Sequence, residues 1–99
     1  MKSVIELENI LKDKKVDLLF IDGDHTYDGI KNDYLIYNKF VKKGGFIVFH
    51  DIKNTDYHKS VNCNVDIFWD ELKKLINTNF IEYCSDDHWG GIGIMIKNN

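Results

Sequence analysis

Two apolar runs, each ending in acidic and imidazole side chains, constrain this chain more than any other feature. Val16-Asp17-Leu18-Leu19-Phe20-Ile21 leads into Asp22-Gly23-Asp24-His25, and Phe46-Ile47-Val48-Phe49 leads into His50-Asp51. Short apolar runs bounded by turn residues read as buried strands, and strands apolar on both sides belong in a parallel sheet. In open α/β sheets, ligands sit in the crevice outside the carboxyl ends of such strands. Both endings therefore point at one place, rich in carboxylate and imidazole.

The segment between the runs supplies the crossover. Thr26 can cap a helix, with Asp28 favourable to the dipole in its first turn. Tyr27, Ile30, Tyr34, Tyr37 and Val41 recur on one helical face, and Gly44-Gly45 is expected to end the helix. Residues 16–50 thus read strand, helix, strand, with a right-handed crossover and parallel strands. Upstream, Ser3 and Glu6 form a capping box for a short helix to about Asp13, with Val4, Leu7, Ile10 and Leu11 as its apolar side and Lys14-Lys15 closing it. Downstream, residues 51–64 read as an irregular loop. Asn64 caps a third helix whose face is Val65, Phe68, Trp69, Leu72, Leu75 and Ile76. Phe80–Cys84 and Gly91–Lys97 are strands, and the turn Ser85-Asp86-Asp87-His88 is short enough to require an antiparallel pair.

The expected fold class is α/β: two parallel strands, a closing antiparallel pair and three helices. Cover is expected on both faces of the parallel strands, which three helices barely supply, and the edge beside Val16–Ile21 is expected to be open. The 99 residues suffice for one small domain. A net charge of −3, with Lys42-Lys43 and Lys73-Lys74 as isolated doublets at solvated helix ends, argues against a nucleic-acid partner. No apolar run approaches the length of a membrane span, and residues 1–15 lack a signal-peptide core, so a cytoplasmic protein is expected. Cys63 and Cys84 lack metal-type or redox-type spacing and read as free thiols.

Neighbouring strands lie about 4.8 Å apart. Asp22 and Asp51 would then approach to about 6 Å and repel by about 3 kcal/mol at an effective dielectric near 20. A proton, a basic partner or a metal must relieve this. The chain has no arginine, and Lys53 lies on a loop. A hard ion such as Mg2+ suits the carboxylates, and mixed His and Asp ligands also admit Mn2+, Fe2+ or Zn2+. Asp-Gly-Asp alone is an ordinary turn; its pairing with His50-Asp51 favours a site. His25 is either a base or ligand, or a helix-capping surface residue. His58 and His88 read as surface residues, and Trp89 as a lid or an edge cover. Gly90-Gly91-Ile92-Gly93 precedes a strand rather than a helix, so it reads as a flexible lead-in and not a phosphate loop.

The strings Phe20-Ile21-Asp22-Gly23-Asp24-His25-Thr26-Tyr27, Gly44-Gly45-Phe46-Ile47-Val48-Phe49-His50-Asp51-Ile52, Phe68-Trp69-Asp70-Glu71-Leu72 and Gly91-Ile92-Gly93 resemble the class I S-adenosylmethionine-dependent methyltransferases. Within them the resemblance is to the cephalosporin-hydroxylase-like and macrocin O-methyltransferase-like branch, over about residues 14–97. It implies a Rossmann-like sheet of which this chain carries the C-terminal half, residues 1–99 forming one partial domain. It implies S-adenosylmethionine as cofactor of the complete domain and a small hydroxyl-bearing substrate. By motif position it implies Asp22, His50 and Asp51 as ligands of a divalent metal, and Asp24 and His25 as the place for a general base. Many relatives have Asp-Asp or Asp-Asn where this chain has His50-Asp51. The family's glycine-rich cofactor loop and the acidic residue after its second strand have no counterpart here, so the chain alone is expected to bind cofactor poorly.

The alternative from a different class is a non-catalytic remnant or interaction module. It would pair through the exposed sheet edge with a second copy or with a missing N-terminal half. A small metal-dependent hydrolase is a third possibility, without a supporting shell of residues around the acids.

Overall fold

The computed structural model describes residues 4–21, 26–52, 64–84 and 91–98. In chain order they form α1 (Val4–Leu11), β1 (Val16–Ile21), α2 (Tyr27–Tyr37), a 3-10 turn (Asn38–Phe40), β2 (Val41–His50), α3 (Val65–Leu75), β3 (Phe80–Tyr83) and β4 (Ile92–Ile96). The four strands make one sheet in the order β1-β2-β4-β3. β1 and β2 are parallel neighbours, and β3 and β4 pair antiparallel, as their patterns predict. β4 returns between β2 and β3, antiparallel to both. Three helices and this mixed sheet give the expected α/β architecture.

The helix boundaries differ from expectation in one instructive place. Val41 continues the apolar stripe of α2, yet it is the first residue of β2, where it pairs with Val16 and is fully buried. The helix stops earlier because Asn38 turns back on it: its Nδ2 donates to Tyr34 O at 2.7 Å and to Leu35 O at 3.3 Å. Tyr34 O also accepts from the Asn38 backbone N–H, so this one residue serves both carbonyls at the helix end. Lys42-Lys43 therefore lies in a strand, not at a helix end, and Lys42 meets Asp17 of β1 at 2.8 Å. Gly44 takes φ +86, and the register between β1 and β2 shifts between Val16 and Leu18. Gly45 is required by close approach, since a Cβ there would sit 2.8 Å from Asp17 O. At the other boundary, Lys12 with φ 55 ends α1 and donates its N–H to Glu8 O. The proposed Ser3 cap lies outside the described residues.

The core lies on one face of the sheet. Register places Leu19, Ile47, Met95 and Phe80 in one row, and Ile21, Phe49, Gly93 and Glu82 in the next. Against them α2 sets Ile30 and Tyr34, and α3 sets Val65, Phe68, Trp69 and Leu72. Phe49 sits at the centre, within 6.1 Å ring to ring of Tyr34 and Phe68 and 5.5 Å of Trp69. Gly93 is not part of a flexible lead-in. It lies inside β4 because the Trp69 indole occupies the space a side chain would fill, 2.7 Å from an ideal Cβ. Trp69 Nε1 then donates to Glu82 Oε2 at 2.8 Å. Leu75, expected on the packed face of α3, is 72% exposed, because the helix ends there and Ile76 takes the extended conformation.

The opposite face departs most from expectation. Leu18, Phe46 and Ile96 share one row, Phe20, Val48, Ile94 and Ile81 the next, and His50, Ile92 and Tyr83 the last. Cover was expected on both faces. Instead Leu18, Phe20, Phe46, Ile81 and Tyr83 are 41% to 72% exposed, Ile92, Ile94 and Ile96 are half-buried, and the central Val48 is buried. α2 and α3 both pack on the first face, so none of their apolar area reaches the second.

Candidate functional site

β1 and β2 stop at the same rim, Ile21 opposite Phe49, with no strand between them. This is the shared geometry that the two acid-ended runs predict. Asp22, Asp24 and His25, which follow Ile21, lie outside the described residues. Those described at the rim are His50 and Asp51.

His50 ends β2 on the uncovered face, in the row of Ile92 and Tyr83. Its Nδ1 lies 3.0 Å from Asp51 Oδ2. The Asp51 side chain is only 14% exposed and that of His50 is 36% exposed, so the pair sits in the lip of the rim rather than in open water. Asp51 adopts φ 64. Non-glycine residues rarely take this conformation, and Asp tolerates it better than most. The turn is held by Asp51 N donating to Gly91 O at 2.9 Å. That bond ties the end of β2 to the start of β4.

The rim gains Tyr83, which the sequence did not single out, and Cys84, which it gave only as a free thiol. Tyr83 is exposed in the His50 row, two strands away, on the order of 10 Å by strand spacing. Cys84, an exposed free thiol, follows it; its Sγ is 2.8 Å from where a Cβ on Gly91 would stand. The signal available was the alternation of β3, which puts Ile81 and Tyr83 on one face. Cys63, His58, His88, Lys53 and Trp89 lie outside the described residues, as do all of residues 53–63 and 85–90.

α2 begins beside the rim. Thr26 Oγ1 accepts from Gly29 N at 3.2 Å, the predicted cap. Tyr27 packs edge-on against Phe68 of α3 rather than onto the sheet, and its hydroxyl donates to Glu71 Oε2. Lys31 joins them; its hydrogen bond to the Tyr27 oxygen, then the charge of Glu71, raise its pKa. On the covered side, the Trp69 indole N–H and then Lys73 hold the Glu82 carboxyl below its ordinary value. Among the described residues no three His, Cys, Asp or Glu side chains converge as a metal cage. No described helix is long and apolar enough to cross a membrane.

Comparison with known proteins fits this geometry. A family model described as a methyltransferase domain matches residues 2–52, which span α1 to the end of β2 and both strand endings. The chain belongs to that family, and its fold is that of the class I methyltransferases. An uncharacterized protein of Acanthamoeba polyphaga mimivirus is 54% identical over 39 residues, 39% of this chain and 18% of that protein. A Staphylococcus aureus protein assigned as a caffeoyl-CoA O-methyltransferase superposes with a TM-score of 0.66 at 18% identity, over 98% of this chain and 49% of its own. The O-methyltransferase TomG of Streptomyces achromogenes, involved in tomaymycin synthesis and solved with S-adenosylmethionine, gives 0.60 at 13% identity, over 98% of this chain and 48% of its own. A Klebsiella pneumoniae protein assigned as an O-methyltransferase gives 0.57 at 16% identity, over 99% of this chain and 47% of its own. The chain spans about half the length of these structures.

Proposed function

We propose that this chain is the C-terminal part of an S-adenosylmethionine-dependent O-methyltransferase, with its acceptor bound at the rim of β1 and β2. The observation that supports the proposal is the pairing of those strands, whose last residues Ile21 and Phe49 lie side by side within a segment matched by the methyltransferase family. In the reaction, an acceptor oxygen bonds to the methyl carbon of S-adenosylmethionine as the carbon–sulfur bond breaks. The hydroxyl proton passes to a base, for which Asp24 and His25 are the candidates.

We infer a divalent ion at this rim, with His50 and Asp51 the described members of its ligand set. A carboxylate that holds one ring nitrogen of an imidazole orients the other toward a ligand, and Asp51 stands in that relation to His50 Nδ1. Asp22, His50 and Asp51 would hold the ion, which when bound would orient the acceptor hydroxyl and lower its pKa.

Two titrations test the proposal. Calorimetry with Mn2+ should show binding, and calorimetry with S-adenosylmethionine should show weak binding or none. Tight cofactor binding by the 99 residues would mean that the cofactor site is complete here, and would overturn the partial-domain assignment. Absence of Mn2+ binding would remove the metal.

A further inference from the structure

The base of the sheet, at the end away from the rim, gathers positive charge that the sequence scatters. Parallel pairing of Val16 with Val41 brings Lys15, one residue before β1, beside the 3-10 turn that leads into β2. The backbone of Lys97, one residue past β4, is held by Gly44 and Gly45 of β2: Lys97 N donates to Gly45 O, and Gly44 N donates to Lys97 O. Both lysines therefore reach one turn. Lys15 Nζ donates to Lys39 O at 2.6 Å, and Lys97 Nζ donates to Asn38 O at 2.6 Å. Neither meets a carboxylate among the described residues, whereas Lys39 is paired with Glu8 and Lys42 with Asp17. Burial, then the charge of Lys15, lower the pKa of Lys97. A lysine on a terminal carbonyl is an ordinary helix cap. Capping does not account for two ammonium groups on consecutive carbonyls, repelling each other without a counter-charge.

Lys97 also lines a cavity of about 460 Å³ between the ends of α2 and α3, with Met95 of β4 in its wall. That volume suits a small molecule. No Asp or Glu is among the described residues that line it. Tyr34 forms part of the wall and is only 9% exposed, yet its hydroxyl has no hydrogen-bond partner among the described residues. Buried polar groups are normally paired, so an unpaired one calls for a partner from outside the chain. The Asn77 carboxamide, in the same wall, also has no partner among the described residues.

We propose that the base of the sheet is a second binding site, for a small phosphomonoester: the phosphoryl group lies between Lys15 and Lys97, and the rest of the molecule, bearing hydroxyl or amide groups, fills the cavity against Tyr34 and Asn77. A phosphomonoester suits the lysine pair better than a carboxylate does. It carries about −1.5 to −2 charge at neutral pH and three strong acceptor oxygens, enough to engage both ammonium groups. His50 and Asp51 stand at the other end of the sheet, so this site does not depend on the methyltransferase proposal.

The test is a backbone-amide titration of the 99-residue chain with glycerol 3-phosphate, with inorganic phosphate and with sodium chloride, all at matched ionic strength. Expected are saturable shifts at Lys15, Asn38, Lys39 and Lys97 with both phosphates, and at Tyr34 and Asn77 with glycerol 3-phosphate, which binds more tightly. Lys15→Met and Lys97→Met should each weaken binding about tenfold, and Lys97→Arg should retain most of it. Lys15 is exposed and precedes β1, so its variant reads the site even where Lys97→Met disturbs the fold. Tyr34→Phe should weaken glycerol 3-phosphate and leave inorganic phosphate unchanged. Shifts that chloride reproduces, or that neither lysine substitution alters, would overturn the proposal. Equal affinity for the two phosphates would overturn the assignment of the cavity. A single-stranded oligodeoxynucleotide that binds the same lysines, more tightly with each added nucleotide, would replace the small-molecule site by an open nucleic-acid surface.

Discussion

His50 Nδ1 stands 3.0 Å from Asp51 Oδ2 across the last peptide of β2, and the second of these residues has a left-handed backbone. Two adjacent residues in an extended strand point to opposite faces. The positive φ of Asp51 breaks that alternation and lets its carboxylate reach back to the imidazole. The turn and the site are thus one feature.

Substitution at this turn should separate stability from ligand binding. Asp51→Asn keeps a side chain that tolerates the left-handed region and should leave stability within about 0.5 kcal/mol. Asp51→Val places a β-branched residue there and should cost about 1–3 kcal/mol. Both should weaken Mn2+ binding at least tenfold. Urea denaturation and calorimetry check the two effects independently.

The Trp69–Gly93 contact sets a second expectation. Gly93→Ala would put a methyl group 2.7 Å from the indole at the centre of the core. Overpacking of this kind costs about 1–3 kcal/mol. Because Trp69 must shift, its bond to Glu82 is disturbed as well. Denaturation midpoints should fall, and the fluorescence of Trp69 should change in the folded state.

Much of this core was legible in sequence, and the reasons are local. β1 and β2 are apolar on both sides, and α3 keeps a clear helical stripe. The β2 boundary misled because Val41 falls on the α2 periodicity by coincidence, while the stop signal is one asparagine side chain, Asn38. The position of β4 was not legible, since a short turn predicts that β3 and β4 pair but not that β4 also pairs with β2. Nor was the role of Gly93: it reads as part of a flexible lead-in until the Trp69 ring is placed over it. The common end of β1 and β2 was legible because neighbouring parallel strands share one, and residues 22–25 lie outside the described residues. The open face was misjudged because two apolar faces predict cover without supplying it.

Glu82 provides a pH test. The indole N–H of Trp69, then Lys73, lower its folded-state pKa below the unfolded value. Its contribution is therefore present above the unfolded carboxylate range and is lost as pH falls through the folded value. The side chain is 45% exposed, which limits the effect to a few tenths of a kcal/mol. Glu82→Gln should be less stable than the parent at pH 7 by that amount. The two should converge below about pH 4 in parallel urea titrations.

α2 begins two residues after His25 in sequence, with Thr26 as its cap. Thr26→Ala removes the cap bond to Gly29 N and should cost about 1 kcal/mol. Thr26→Ser should restore most of it. Thermal melts followed by circular dichroism distinguish the two.

The central claim is that the ends of β1 and β2 form one ligand site. Paramagnetic broadening by Mn2+, read from backbone amide spectra of the 99-residue chain, tests it most directly. The account predicts broadening centred on Ile21, His50, Asp51 and Ile52, together with residues 22–25, and its loss in Asp22→Asn and His50→Ala. Broadening centred elsewhere, for instance on the Asp70–Glu71 segment of α3, or unchanged by both substitutions, would contradict it.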